Sequence, residues 1–204
     1  MLDCGIPIAE IKKGLDFNIN KVSGVVASHE HKDHILSIKD FKKMGIPIFA
    51  PYIDGITKGK LGGFKISAFE LPHDNCKNYG FLINYNGDKL LYLTDFEYCT
   101  YFFTQISVQN ILIECNYQQK YISREDANYL HKVKGHCELE TCKRFIEVNR
   151  TDKLRNVILC HLGWFSTNAD ECKAEIKKVA KTSVYVATKG LEVDLERRND
   201  LLTK

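Results

Sequence analysis

The chain has 204 residues, of which 44% are hydrophobic and 27% charged. This composition excludes a disordered protein and fits one compact domain over residues 1–204. The net charge of +3 is compatible with a polyanionic substrate, but it is well below that of a dedicated nucleic-acid binder.

Membrane and secretory features are missing from the sequence. No apolar run approaches the roughly 20 residues that span a bilayer, and MLDCGIPIAEIKK lacks the apolar core of a signal peptide. The eight cysteines form no CxxC pair, which favours reduced thiols over a disulfide framework. We therefore expect a cytoplasmic protein with no membrane partner.

The first half of the chain is rich in strand-length apolar runs. VSGVVAS predicts a strand, and DHILSIKDFKKMG after it has helical spacing, with Gly45 as the helix stop. Four further runs predict strands: IPIFAPY, FKISAFEL, YGFLINYNGDKLLYLTD and NILIECN. Asn86-Gly87 bends the third of these runs into a hairpin.

The second half alternates helices with strands. A capping pattern at Ser123 and Asp126 predicts a helix in SREDANYLHKVKG, followed by the helix ELETCKRFIEV and the strand VILCHLGW. TNADECKAEIKKVAK is an amphipathic helix, and SVYVATKGLEVDL predicts two short strands around Lys189-Gly190. The alternation predicts an α/β protein with helices outside its sheets.

Histidines are concentrated in HEHKDH, directly behind the first apolar strand. This H-x-H-x-D-H pattern comprises His29, His31, Asp33 and His34. On a strand-to-helix turn, the side chains of His29 and His31 point to the same side because they alternate along the extended chain. The start of the helix directs Asp33 and His34 to an adjacent position. The pattern predicts two adjacent metal positions for zinc, iron or manganese. The alternative is a solvated turn with surface histidines.

Three more candidate ligands follow apolar strands: His73 in FELPHDN, Asp95 in LLYLTDFE and His161 in VILCHLG. Active-site residues of α/β proteins collect at strand ends, where loops converge. Taken singly, such an aspartate is more often a turn former and such a histidine a packed side chain. Together the three residues complete two coordination spheres.

The order HxHxDH, His73, Asp95 and His161 resembles the metallo-β-lactamase superfamily of binuclear hydrolases over nearly the whole chain. The resemblance implies an αββα sandwich whose first N-terminal strands either precede this sequence or are missing. It also implies two divalent metal ions, Zn²⁺ in the first place and Mn²⁺ or Fe²⁺ as alternatives. The implied ligands are His29, His31 and His73 for one metal and Asp33, His34 and His161 for the other, with Asp95 bridging both and Asp3 of LDCG bracing the histidine turn.

Two further segments resemble ribonuclease Z and the related bacterial exonuclease-like branch. Glu114 ends the strand ILIECN, and His136 in KGHCELE precedes a helix. In that branch His136 would protonate the leaving oxygen and Glu114 would orient it, which suits an imidazole because imidazoles titrate near neutral pH. Asp33, with Asp95, would hold the attacking hydroxide. The alternative makes His136 a helix-entry residue and Glu114 a capping acid.

The implied function is a phosphodiesterase or nuclease that cleaves single-stranded nucleic acid or a cyclic nucleotide. Tyr117 and Gln118 replace a His-Asp pair of the branch, and a basic glycine-rich insertion for tRNA is missing, so a small phosphodiester fits better than tRNA. Two alternatives stay open: hydrolysis of a lactone, thioester or β-lactam, and a metal-binding interaction module without turnover. The oligomeric state is also open, with a homodimer as one option.

Three residues remain without an assigned role. His131 is the one histidine outside the predicted site and is expected on an exposed face of its helix. Trp164 and Phe165 follow His161 closely, and the sequence allows either core packing or a place at the substrate mouth, where aromatic rings stack on bases.

Overall fold

A computed structural model of the protein describes residues 1–196. Two sheets form the centre of the fold. The smaller sheet contains β1 (Val25–Val26) and β2 (Ile48–Phe49). The larger sheet contains β3 (Lys58–Leu61), β4 (Phe64–His73), β5 (Cys76–Tyr85), β6 (Asp88–Leu93), β7 (Asn110–Glu114), β8 (Asn156–Cys160) and β9 (Ser183–Val186).

Seven α-helices lie in the described part of the chain. They are α1 (Ile8–Gly14), α2 (Lys32–Ile35), α3 (Ile38–Lys43), α4 (Pro51–Asp54), α5 (Tyr129–Gly135), α6 (Leu139–Asn149) and α7 (Ala169–Ala180). Three short 3₁₀ turns, Ile19–Lys21, Thr104–Ile106 and Gln119–Tyr121, lie in the connections. None of the described helices is long and apolar enough to cross a membrane.

The larger sheet runs in sequence order from β3 to β9. Its first four strands pair antiparallel, and β6, β7, β8 and β9 pair parallel. The predicted hairpin is confirmed, because Asn86 and Gly87 join β5 to β6 with φ angles of 51° and 96°, as a tight two-residue turn requires. Strands β4, β6, β7 and β8 therefore all end at the same edge of the sheet.

Three apolar clusters separate four layers. Val25 and Phe41 belong to a cluster between the smaller sheet and helices α1 and α3. Val26 faces the other way and packs with Phe81 between the two sheets. The largest cluster lies between the larger sheet and helices α6 and α7. This layering confirms the predicted αββα sandwich, since strand side chains alternate between faces.

The N-terminal segment adds little to the smaller sheet. Leu2 makes an isolated parallel bridge to Val26, and the N–H of Asp3 donates to the carbonyl of Val26 at 2.8 Å. The smaller sheet of the described chain thus consists of two short strands and this bridge. The backbone contact fixes Asp3 beside the end of β1.

Three secondary-structure predictions were wrong. The helix after the histidine turn is split into α2 and α3 at Leu36 and Ser37, although Gly45 ends it as predicted with φ 71°. The helix expected from Ser123 begins only at Tyr129, because the N–H of Ser123 donates to Asp126 Oδ2 within a local turn. Of the two strands expected around Lys189-Gly190, only β9 forms within the described residues.

Candidate metal centre

The predicted site residues meet at the sheet edge where four strands end. His73 and Glu114 are the last residues of β4 and β7, and Asp95 and His161 follow the ends of β6 and β8. Asp95 and His161 adopt left-handed backbone conformations, with φ angles of 50° and 51°. Such conformations are costly for residues other than glycine, and they cluster at functional sites.

A first group of potential ligands consists of His29, His31, His73 and Asp95. One ligand atom from each lies within 4.8 Å of the others. His73 Nε2 is 3.2 Å from His31 Nδ1 and 3.8 Å from Asp95 Oδ2. The structure therefore brings together the residues that the sequence assigned to one metal.

A second group consists of Asp33, His34 and His161. Asp33 Oδ2 lies 3.7 Å from His34 Nε2 and 3.9 Å from His161 Nε2. The Asp33 side chain is 68% exposed, so this group faces solvent, whereas the first group is mostly buried.

Asp95 lies between the two groups. Its Oδ2 atom is 3.6 Å from His29 Nε2 in the first group and 3.3 Å from His34 Nε2 in the second. A carboxylate in this position contacts ligand atoms of both groups. This placement agrees with the bridging role that the resemblance implies.

Hydrogen bonds leave one nitrogen of each buried imidazole free for the centre. His73 Nδ1 donates to the carbonyl of Gly135 at 2.6 Å, and His29 Nδ1 donates to Ser28 Oγ at 3.0 Å. The Nε2 atoms of His29 and His34 are buried and find no hydrogen-bond partner in residues 1–196. Unpaired buried nitrogens are costly unless a ligand satisfies them.

Asp3 holds the histidine turn from behind. Its Oδ2 accepts hydrogen bonds from His34 Nδ1 and from the Tyr92 hydroxyl, each at 2.7 Å. Its carboxylate also accepts from the N–H and the hydroxyl of Ser28, each at 2.8 Å. Buried carboxylates that receive the far N–H of a histidine typically orient metal ligands.

The spacing and chemistry of these atoms fit divalent cations. Two nitrogen ligands of a tetrahedral zinc ion lie about 3.3 Å apart, because each Zn–N bond is about 2.0–2.1 Å. The separation of His73 Nε2 from His31 Nδ1 is 3.2 Å, and that of His34 Nε2 from Asp95 Oδ2 is 3.3 Å. Mixed imidazole and carboxylate ligands also suit manganese and iron.

Electrostatics in the metal-free site are set by its carboxylates. Burial lowers the pKa of His34 and His161, but close contacts with carboxylates outweigh burial and raise the two pKa values to about 10 and about 11. The partners are Asp3 and Asp95 for His34, and Asp95 and Glu114 for His161. For His29 burial dominates and lowers the pKa to about 2. The carboxylates therefore attract positive charge into the site.

Glu114 is fully buried and accepts four hydrogen bonds. Its Oε1 accepts from Nδ1 of His136 at 2.7 Å and of His161 at 2.8 Å. Its Oε2 accepts from the backbone N–H groups of Phe96 at 3.1 Å and Cys137 at 3.2 Å. With both oxygens occupied by these donors, Glu114 orients the two imidazoles.

His136 lies at the rim of the centre. Its ring centroid is 5.5 Å from that of His73 and 5.4 Å from that of His161. Because Nδ1 is paired with Glu114, Nε2 is the nitrogen available to a substrate. His136 is outside the two ligand sets that the resemblance implies, but it forms a further group of potential ligands with Asp95, Glu114 and His161.

The sequence missed one neighbour of the site. His131 is half-exposed, as expected, but its ring centroid lies 5.1 Å from that of His136 and 6.2 Å from that of His73. The chain turns back after α5 ends at Gly135, and this turn brings two residues five apart into contact. All seven histidines of the chain therefore lie in or beside one site.

Tyr117 and Gln118 stand where the ribonuclease Z-like branch has a His-Asp pair. In this structure both residues make contacts within the protein. Gln118 Nε2 donates to Glu171 Oε2 at 2.9 Å, and Gln118 Oε1 accepts from the N–H of Asn168 at 2.7 Å. Tyr117 is buried and bridges Glu138. Gln118 therefore supports the start of α7, and Tyr117 supports the start of α6, where its carbonyl accepts from the N–H of Leu139 at 2.9 Å.

Trp164 and Phe165 do not pack in the core. Their exposed fractions are 92% and 94%, which excludes the core alternative for both. They line a cleft of about 500 Å³ together with residues of α5 and of the segment before it.

Comparison with known proteins establishes the fold. No protein-family model matches the chain, and a search of curated proteins finds no significant match. Among solved structures, the metallo-β-lactamase fold protein YhfI from Bacillus subtilis is 21% identical with a TM-score of 0.71, covering 93% of this chain and 84% of its own. The chain therefore has the metallo-β-lactamase fold.

Two further solved structures are similar. A diphosphatase of the PhnP family is 16% identical with a TM-score of 0.64, over 93% of this chain and 76% of its own. The short form of human tRNase Z is 13% identical with a TM-score of 0.60, over 95% of this chain and 87% of its own. At these identities the likeness concerns the fold alone, so the chemistry must be argued from the site.

Proposed function

We propose that the protein is a binuclear-metal hydrolase, and specifically a phosphodiesterase or nuclease. Its substrate is a phosphodiester in single-stranded nucleic acid or in a cyclic nucleotide. The observation that carries this proposal is the Glu114–His136 pair at the rim of two ligand groups. The similarity of the fold to a diphosphatase and to a tRNase Z supports it.

Two divalent cations, Zn²⁺ first and Mn²⁺ or Fe²⁺ as alternatives, are the proposed cofactors. His29, His31 and His73 would hold one ion, and Asp33, His34 and His161 would hold the other, with Asp95 as a ligand shared by the two groups. When bound, such ions lower the pKa of a water molecule and neutralise charge on a phosphate. The unpaired, buried Nε2 atoms of His29 and His34 support this assignment.

The protein's own side chains complete the reaction. Asp33 and Asp95 would orient the attacking water, which loses a proton to solvent. The attack forms a new O–P bond and breaks the bond from phosphorus to the leaving oxygen. That oxygen takes a proton from His136 Nε2, while Glu114 holds the Nδ1–H of the same ring. His136 then regains a proton from solvent.

The proton donor favours phosphodiesters over lactones, thioesters and β-lactams. An alkoxide expelled from phosphorus is strongly basic and needs a proton, which a buried histidine paired with a carboxylate supplies. The filled ligand groups likewise favour an enzyme over an interaction module. We propose that residues 1–204 form one hydrolase domain. A cytoplasmic location is supported by the eight cysteines, which are all free, as is usual in a reducing compartment.

The experiment compares two classes of substrate. Chelator-stripped protein is assayed with bis(p-nitrophenyl) phosphate, and in parallel with nitrocefin and a lactone, before and after addition of zinc or manganese. Metal-dependent cleavage of the phosphodiester alone supports the proposal. Cleavage of only the carbonyl substrates would contradict it, and two bound metals with no turnover on any phosphodiester would favour the interaction module.

A variant tests the bridging residue. Asp95→Ala removes the carboxylate between the two groups, so we expect the metal content to fall from two ions per chain to one or fewer and turnover to be lost. Asp152→Ala is the control, because this carboxylate is 82% exposed and precedes β8, whose far end carries His161. A variant Asp95→Ala that kept two metals and full turnover would refute the assignment.

A further inference from the structure

Trp164 and Phe165 form an exposed aromatic pair three and four residues after the proposed ligand His161. Because a residue spans at most about 3.6 Å of extended chain, Trp164 lies within about 11 Å of His161 along the backbone. Large aromatic side chains are seldom left this exposed without a partner. The pair therefore lies within reach of a substrate held at the metal centre.

The loop that carries this pair is held in place. Asn116 Nδ2 donates to the carbonyl of His161 at 2.9 Å, and the N–H of Gly163 donates to the carbonyl of Asn116 at 2.9 Å. A Cβ atom at Gly163 would lie 2.7 Å from that carbonyl oxygen, so the loop requires glycine there. The aromatic rings thus extend from a backbone that is fixed before any ligand binds.

The same cleft contains one cation, Lys132, and one carboxylate, Asp126, whose Oδ2 accepts a hydrogen bond from the N–H of Ser123. Lys132 lines the cleft with Trp164 and Phe165, and Lys132 Nζ donates to Ser166 Oγ at 3.1 Å. The carbonyl of Lys132 accepts a hydrogen bond from the N–H of His136 at 3.0 Å. The cleft therefore combines an ammonium group with two aromatic faces, and this backbone hydrogen bond joins Lys132 to the proposed proton donor.

We propose that this cleft is a nucleotide subsite, in which a nucleobase stacks on Trp164 and Phe165 while Lys132 contacts a phosphate. This inference rests on the proposed function and names the substrate as a nucleotide or single strand. Bases of any kind stack on aromatic side chains. The subsite should therefore favour ligands that carry a base over ligands without one, and it should bind different bases similarly. A volume of about 500 Å³ is in the range of small-molecule sites.

The test measures tryptophan fluorescence, which reports on Trp164 alone because the chain has one tryptophan. The fluorescence of the zinc-loaded protein is titrated with AMP, CMP and ribose 5-phosphate. We expect both nucleotides to quench the fluorescence to saturation and ribose 5-phosphate to leave it unchanged. Equal quenching by the three ligands, or none by any, would overturn the proposal.

Variants separate stacking from charge. Phe165→Ala should weaken AMP binding about 10-fold, within the range measured for losing one stacking partner. Phe102→Ala is the matched control, because Phe102 is 73% exposed and lines a different cleft. Lys132→Gln should abolish the preference for AMP over adenosine. If Phe102→Ala and Phe165→Ala weakened binding equally, the subsite would be excluded.

Kinetics place the subsite relative to the reaction. The nucleoside preference is the ratio of kcat/KM for thymidine 5′-(p-nitrophenyl phosphate) to that for methyl p-nitrophenyl phosphate. Trp164→Ala should lower this preference about 10-fold, and Trp164→Phe should restore most of it. Quenching without hydrolysis of either ester would sustain the subsite and contradict the proposed function. Hydrolysis of both esters with no nucleoside preference would overturn the subsite alone.

A second copy of the chain is the competing occupant of the aromatic pair. It is tested by the mass of the protein in solution, measured by light scattering for the unaltered chain and for a Trp164→Ala, Phe165→Ala double variant. We expect the same mass for both. A change from dimer to monomer in the variant, with no quenching by nucleotides, would overturn the nucleotide subsite.

Discussion

Glu114 Oε1 lies 2.7 Å from His136 Nδ1 in a buried hydrogen bond. Glu114 is fully buried, and its second oxygen is occupied by two backbone N–H groups. The carboxylate therefore cannot turn away from the imidazole without leaving several donors unpaired. His136 is held with Nε2 free, which is the arrangement that a proton donor requires.

Replacing His136 should affect substrates according to their leaving groups. For His136→Ala we expect turnover to fall about 10²–10⁴-fold for a dinucleotide, whose alkoxide leaving group needs a proton. Turnover of bis(p-nitrophenyl) phosphate should change much less, because nitrophenolate leaves unprotonated. Steady-state kinetics with metal analysis check this. His131→Ala is the control, and an equal loss on both substrates would contradict the role.

Glu114→Gln keeps the size of the side chain but removes its charge. His136 and His161 both donate to Glu114 Oε1, so we expect loss of kcat on dinucleotides together with weaker binding of one metal. Losses of about 10–100-fold in metal affinity are typical of such outer contacts. Competition with a fluorescent chelator measures the affinity. Unchanged affinity and kcat would show that Glu114 is only a packed acid.

Asp3 offers a test on the opposite side of the centre. Asp3→Asn removes the charge that receives His34 Nδ1, so the affinity of the ion held by His34 should fall about 10–100-fold. Tyr92→Phe removes only a hydroxyl donor to the same carboxylate and should change affinity far less. Chelator competition distinguishes the two variants. Equal losses of affinity in the two variants would show that the hydrogen bonds of Asp3, and not its negative charge, determine metal affinity.

Metal binding should release protons. The pKa values of His34 and His161 are raised to about 10 and about 11 in the metal-free protein, so both are charged at pH 7.5. Each must lose its proton to bind a cation. Affinity should therefore fall as pH decreases and rise with pH until both imidazoles are neutral, at about pH 11. Calorimetry in buffers of different ionisation enthalpy should detect about two protons, whereas no release would contradict the assignment.

Most residues of the candidate metal centre were predictable because each is marked by a short, local sequence pattern. The HxHxDH turn places four candidates within six residues, and His73, Asp95 and His161 each directly follow an apolar run. Parallel pairing then brings the ends of β6, β7 and β8 to one edge. The register matters for this result, because a shift of one residue would turn every side chain of a strand to the other face.

The remaining features depend on long-range packing. His131 reaches His136 only because α5 ends between them, and helical spacing alone does not predict a contact between residues five apart. The exposure of Trp164 and Phe165 depends on how Asn116 holds the loop. Ser123 and Asp126 do form the hydrogen bonds of a capping pattern. These bonds stabilise a separate turn that precedes the helix.

The most direct test is a titration of chelator-stripped protein with zinc, followed by turnover of bis(p-nitrophenyl) phosphate. The potential ligands form one mostly buried group and a second group in which only Asp33 is exposed. We expect little activity after one equivalent and a rise that levels off at two equivalents per chain. Full activity with a single ion, or two bound ions with no cleavage of this or any other phosphodiester, would contradict a binuclear phosphodiesterase.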